Sequence, residues 1–231
     1  MNSLSDPLKQ RYLETAILTK GISEVPIHNA VLAALREKGF SGDVLDFGAG
    51  NCLLAETLLA SGAFASVTAV DILEPPPRLS PGIRHARGDL NDRTVFPDGS
   101  FDRIVSVEVI EHLENPRATM REWFRLVRPG GWVVLSTPNN ESWRSLLSFL
   151  TRGHFAGFFG ASYPAHITAL LPLDVERAAT EAGFSHAAFR YSNHGHVPKL
   201  GSLTWQRISG GLLKGKRHSD NMIALLHKAP R

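Results

Sequence analysis

Apolar positions along this chain follow two alternating rhythms. Short unbroken runs, at Val44 and Leu45 and again at 66–71, 83–86, 101–107, 132–137, 184–191 and 222–227, have the length and β-branched content of buried strands. Between them apolar residues return every three or four positions, over 25–38, 53–59, through Trp123 and Leu126, 142–150 and 173–182, as they do on one face of a helix. A further helical pattern covers 7–19. Strand and helix alternating in this way predict an α/β sheet, mostly parallel, with helices on both faces. The punctuation agrees. Gly39 and Gly183 stop helices, Pro116 suits a first helical turn, and 97–100 (Pro-Asp-Gly-Ser) is a turn before a strand. Pro129-Gly130-Gly131 is read as ending one helix and launching the fifth strand, and Pro138-Asn139-Asn140 as closing it.

One stretch obeys neither rhythm. Residues 151–166 are rich in glycine and aromatics, which suits a cover over a binding site. A membrane-touching loop or a plain packing insert has the same composition. No repeats or second domain are visible, so 1–231 is taken as one domain, with 1–40 as a helical cover and 140–170 as an insertion on the acceptor side.

Charge and cysteine content narrow the class. The net charge is +3, too small an excess to demand a nucleic-acid partner. The basic run 214–218 reads as a solvated loop. A single cysteine excludes an internal disulfide and fits a reducing compartment. No apolar run approaches the roughly 18 residues of a membrane span, and the N-terminus lacks a secretory core. The expectation is a soluble cytoplasmic protein, with peripheral membrane contact left open by the aromatic stretch.

The chemistry concentrates at Asp46-Phe47-Gly48-Ala49-Gly50-Asn51. A buried strand ends there in an acid, two glycines turn the chain, and a helix follows. That geometry brings backbone N–H groups up to a nucleotide-like ligand. A second strand ends in Asp71, about 20 residues on, where an acid grips ribose hydroxyls.

Asp46-x-Gly48-x-Gly50 with Val70-Asp71 resembles the class I S-adenosylmethionine-dependent methyltransferases, as do Gly88-Asp89-Leu90, Glu108 to Leu113 and Arg128-Pro129-Gly130-Gly131. Cys52 stands where that family often has a third glycine. The resemblance covers about 40–140. It implies a Rossmann-like seven-stranded sheet whose last strand is antiparallel. It also implies S-adenosyl-L-methionine as cofactor, held by Asp46, Gly48, Ala49, Gly50, Asn51, Asp71, Ile72, Asp89, Leu90 and Glu108, with Asp89 at the adenine amino group. Tyr12 and His28 are candidates to line the cover.

Glu108, Glu111 and His112 would share one face if the chain turned helically after the fourth strand. With His166 they could bind a divalent cation. The set is similar to the metal site of small-RNA 2′-O-methyltransferases and to that of ubiquinone-pathway O-methyltransferases. His112, Glu111 and His166 are the catalytic candidates, although Glu111 could equally start a helix and His112 act as a base or merely pack. His154, His194 and His196 are read as solvent-exposed loop residues. The function that follows is methyl transfer to an oxygen of a small or amphipathic molecule of quinone, lipid or glycan type. A metal-assisted RNA 2′-O-methyltransferase and a non-catalytic binding module are the alternatives.

Overall fold

The computed structural model describes residues 25–39 and 41–230, together with Gln10, Leu13, Glu14, Ala16 and Ile17, which are all helical. The rest of the 7–19 pattern, Tyr12 included, lies outside the described residues. The described elements are α1 (Val25–Glu37), β1 (Asp43–Phe47), α2 (Leu53–Ala60), β2 (Ser66–Asp71), β3 (Ile83–Arg87), β4 (Phe101–Val107), α3 (Pro116–Leu126), β5 (Val127–Pro138), α4 (Trp143–Arg152), α5 (Pro172–Ala182), β6 (His186–Tyr191), α6 (Trp205–Ile208) and β7 (Asn221–His227).

Seven strands form one sheet in the order β3-β2-β1-β4-β5-β7-β6. The strands from β1 to β5 pair in parallel, while β7 runs antiparallel to both β5 and β6. This is the predicted mixed sheet. The last strand reverses direction, so its first residue, Asn221, is paired with Pro138 at the finish of β5. Residues entering β7 therefore sit at the edge where the parallel strands end.

Alternation along the strands divides the core between two faces. Leu45, Phe47, Ile104, Val133 and Leu135 point towards α3 and α5, whereas Val44, Val105 and Val134 point towards α1 and α2. Local chemistry stops and starts the helices as their sequence requires. Asn115 caps α3, its side chain accepting from the Ala118 N–H at 3.0 Å with Pro116 in the first turn. Ser142 caps α4 in the same way. Gly183 closes α5 at φ 110°, and a Cβ there would press 2.9 Å from the Phe124 ring.

Two boundaries differ from the sequence reading. The fifth strand does not wait for the glycines: α3 ends at Leu126 and β5 begins at Val127, with its register against β4 shifting between Phe101 and Arg103. Pro129-Gly130-Gly131 is thus an irregularity inside the strand. A Cβ on Gly131 would lie 2.7 Å from the Asp102 carbonyl, so only glycine fits. After β4 the chain makes a single 3₁₀ turn, Ile110–His112, in place of an α-helix.

Far from that edge, Arg128 bridges Asp43 and Asp102, and the Asp43 N–H donates to Asp102. Asp102 ties together strand starts, as expected of an acid at the end remote from ligands. Among the described residues no helix is long and apolar enough to cross a membrane.

Trp123 is fully buried and meets Phe47 edge-on at 5.6 Å, joining α3 to β1. Trp123→Ala is expected to destabilise the fold by about 3–5 kcal/mol in urea titration. Its indole N–H is buried without a partner, so Trp123→Phe should cost much less.

Candidate active site

A cavity of about 610 Å³ opens where the parallel strands end. Its walls come from the β1–α2 corner, the ends of β2 and β4, the β5–α4 connection, 156–166 and the entry to β7. Asp46, Gly48, Ala49, Gly50, Asn51, Asp71, Ile72, Asp89, Leu90, Glu108, His112 and His166 all line it, with Ala16, Ile27 and His28. Glu111 is the one catalytic or cofactor candidate among the described residues that does not reach the cavity surface; it is fully buried.

The glycine corner is shaped by packing as much as by ligand access. Gly48 has φ 84°, and a Cβ on it would lie 2.3 Å from a Val109 methyl. Gly50 is also left-handed and donates its N–H to Asp71 Oδ2 at 2.8 Å. The other oxygen of Asp71 accepts from the Leu73 N–H at 2.9 Å. Each carboxylate oxygen keeps a lone pair for a ligand hydroxyl. Cys52 adopts φ 61°, a left-handed conformation in which glycine would be unstrained, and here a buried cysteine bears that strain. Asp89 Oδ1 accepts from the backbone and side chain of Asn91, forming a turn at the cavity wall.

Asp46 is buried beside Asp71 with Oδ2 unpartnered. Burial, then the Asp71 charge, pushes its carboxyl up to about 7. An acid in that condition is matched to a cationic ligand, whose charge replaces the lost hydration.

Glu108 does not join Glu111 and His112. It has φ 54°, and its carboxylate accepts from the Ser136 hydroxyl and from Asn221 Nδ2 at 2.9 Å. The helical turn that would have aligned the three is replaced by the tighter 3₁₀ turn, so Glu108 is directed to β5 and β7. The groups that do converge are Glu111, His112 and His166, whose ligand atoms lie within 4.8 Å of one another. Backbone bonds hold them in place: the Ile167 and Thr168 N–H groups both donate to the Glu111 carbonyl at 3.0 Å. His112 Nδ1 meets the Ala165 carbonyl at 2.8 Å, and His166 Nδ1 meets the Gly157 carbonyl at 2.7 Å. A carbonyl can only accept, so His166 donates from Nδ1 and keeps the lone pair on Nε2, while the His112 ring donates to a backbone carbonyl and is faced by a second one, that of Glu108. Burial lowers both imidazole pKa values and keeps the rings neutral, as a metal ligand must be. Glu111 accepts from Thr137 at 3.0 Å, leaves Oε1 unpartnered, and is pushed up to about 8 by burial.

The cavity also takes in polar residues that the sequence did not assign to the site, among them Arg144, His196, Asp220 and Asn221. His196 is a correction, since its ring is half-buried and bound to Asp220 rather than free in a loop. The only sequence signal was the start of a last strand next to a run of histidines. The basic run is also less open than expected, with Lys216 paired to Glu141 and Arg217 over the Trp143 ring.

A carboxyl whose folded pKa is raised stabilises the protein below its unfolded pKa and loses that contribution as pH climbs through the folded value. For Asp46 the window runs from 3.8 to about 7. Wild type should therefore lose stability relative to Asp46→Asn across that window, by at most about 1.4 kcal/mol per pH unit. Pairwise comparison of thermal midpoints cancels the histidines with lowered pKa, which act in the opposite sense.

A family model described as a methyltransferase domain matches residues 23–205. A ubiquinone biosynthesis O-methyltransferase of Chromobacterium violaceum is 26% identical over 168 residues, 69% of this chain and 72% of the relative. One from Thiobacillus denitrificans is 27% identical over 148 residues, 61% of this chain and 63% of the relative. In fold, the chain is similar to the Burkholderia thailandensis 1,6-didemethyltoxoflavin-N1-methyltransferase solved with S-adenosylhomocysteine (TM-score 0.62, 16% identity, 96% of this chain and 87% of that one). It is also similar to a SAM-dependent methyltransferase from Archaeoglobus fulgidus (TM-score 0.59, 19% identity, 86% and 93%). The family match spans most of the chain and encloses the glycine corner, Asp71 and the β4 end, and the chain belongs to the S-adenosylmethionine-dependent methyltransferases.

Proposed function

We propose that this methyltransferase acts on a hydroxyl oxygen of a small or amphipathic acceptor of quinone-precursor type. The observation that carries the reading is the make-up of one continuous cavity. An acid-and-glycine cradle of nucleoside type forms one part of its wall, and the imidazoles of His112 and His166 lie in another. The curated relatives named for ubiquinone biosynthesis support the acceptor class.

Asp71 and the Gly48–Gly50 corner bind the ribose side of the cofactor in this reading, Asp89 and Leu90 the base, and Asp46 the cationic methionine part. The cofactor supplies an electrophilic methyl group on sulfur. The protein's task is then to align the acceptor oxygen in line with that bond and to exclude water. The aromatic 156–166 segment, with Phe159 and Pro164 on the cavity, provides an apolar wall for a ring or chain. Glu111, His112 and His166 would hold a divalent cation, whose chemistry when bound is to acidify and orient the acceptor hydroxyl. Two imidazole nitrogens backed by backbone carbonyls and one buried carboxylate with an orphaned oxygen fit such an ion.

The test is transfer of labelled methyl from S-adenosylmethionine to a panel of catechols, among them 3,4-dihydroxybenzoate and an alkyl-substituted catechol. Labelled methyl ether is the expected product, and no transfer to any member overturns the hydroxyl reading. Asp71→Ala should weaken S-adenosylhomocysteine binding at least tenfold by calorimetry, because it removes a buried charged acceptor. For the cation, bound metal measured by elemental analysis should be lost in Glu111→Gln combined with His166→Ala. An unchanged metal content and full activity in chelator would end that part of the reading.

A further inference from the structure

Methylation of a hydroxyl oxygen releases its proton, and the β7 side of the cavity holds a pair suited to take it. We propose that His196, positioned by Asp220, is the general base that removes the proton from the acceptor hydroxyl. This rests on the O-methylation reading above.

The pair is built by topology. Because β7 is antiparallel, Asp220 arrives at the ligand edge beside the end of β5, where its carbonyl accepts from the Asn139 N–H at 2.7 Å and its own N–H donates to the His194 carbonyl at 2.8 Å. Its carboxylate Oδ2 gathers three donors: His196 Nδ1 at 2.6 Å, the His196 N–H at 3.1 Å and Arg144 Nη1 at 2.9 Å. The backbone of His196 is fixed on its other side by a β-bridge to Thr204. A ring nitrogen bound to a carboxylate carries the hydrogen, so Nε2 is the nitrogen that can accept a proton, and His196, Asp220 and Arg144 all line the cavity.

This arrangement differs in kind from that of His112 and His166. Their Nδ1 atoms face neutral peptide carbonyls, whereas His196 has a carboxylate to balance the positive charge it would gain. The charged and titratable groups facing it are Asp220, Arg144 through Asp220, and His194, whose ring lies edge-on at 5.3 Å. In the step proposed, the acceptor O–H bond breaks and its proton passes to His196 Nε2. The oxygen lone pair forms the new bond to the methyl carbon as the carbon–sulfur bond breaks. Sulfur keeps that electron pair, giving neutral S-adenosylhomocysteine, and the imidazolium returns its proton to water. A purely structural role is the competing account, in which Arg144, Asp220 and His196 only strap α4 to the 192–204 loop.

The experiment measures methyl transfer to the best catechol of the panel for wild type, His196→Gln and Asp220→Asn, with thermal midpoints for all three. The expected result is a fall in kcat of about 100-fold or more for His196→Gln. KM for S-adenosylmethionine and the midpoint should stay near wild type. Asp220→Asn should fall in the same direction, since an amide no longer balances the charged ring. Nitrogen-15 NMR of imidazole-labelled protein bound to S-adenosylhomocysteine should show His196 with hydrogen on Nδ1, a pattern that Asp220→Asn disturbs. A kcat within about threefold of wild type in His196→Gln, or hydrogen on Nε2, overturns the assignment, and so does a kcat loss that only follows a lowered midpoint. Failure of wild type itself to methylate any catechol while still binding S-adenosylhomocysteine sinks the O-methylation reading and this step together. Loss confined to the variants' chemistry supports both.

Discussion

A 2.8 Å hydrogen bond from the Gly50 N–H to the Asp71 carboxylate joins the ends of two neighbouring parallel strands at the cavity wall. It requires Gly50 to adopt a left-handed conformation and Asp71 to stay buried and oriented before any ligand arrives. The rest of the cradle depends on it. Gly48 packs against Val109, which carries the chain from β4 into the 3₁₀ turn, so the glycine corner and the Glu111–His112 turn are in direct contact. A side chain at Gly48 would disturb both.

The site concentrates acids where water is scarce. Asp46 and Glu111 have carboxyl pKa values pushed up to about 7 and about 8 by burial, and each has one oxygen without a partner. Near them His112 and His166 are held neutral by the same burial. Such groups destabilise an empty protein and are stabilised by a cation. In the proposed reading a sulfonium would bring positive charge to the Asp46 side, and the Glu111, His112 and His166 cluster could take a cation on the other.

Two segments outside the parallel core add walls to the cavity at the end of the sheet. The 156–166 stretch brings His166 to His112 through backbone bonds, and the antiparallel β7 brings Asp220 and Asn221 to the finish of β5. Asn221 in turn anchors Glu108, which removes that residue from the imidazole cluster. α4, between these segments, buries little beyond Ser145 and leaves Trp143, Phe149 and Leu150 exposed.

Periodicity and glycine placement were enough to determine the strand and helix sequence, the sheet class, the glycine corner and its acidic partner Asp71. Each of these is a local property, a repeat of 2 or 3.6 residues or a backbone angle only glycine adopts easily. What the tertiary structure decided was how distant segments meet. Glu108 left its sequence neighbours because one left-handed residue and a 3₁₀ turn replaced the helix that spacing suggested. His196 gained a carboxylate only because a strand 24 residues later runs backwards and delivers Asp220 beside it. Direction and register between strands are set by side-chain packing across the whole sheet, and the order of residues along the chain does not encode them locally.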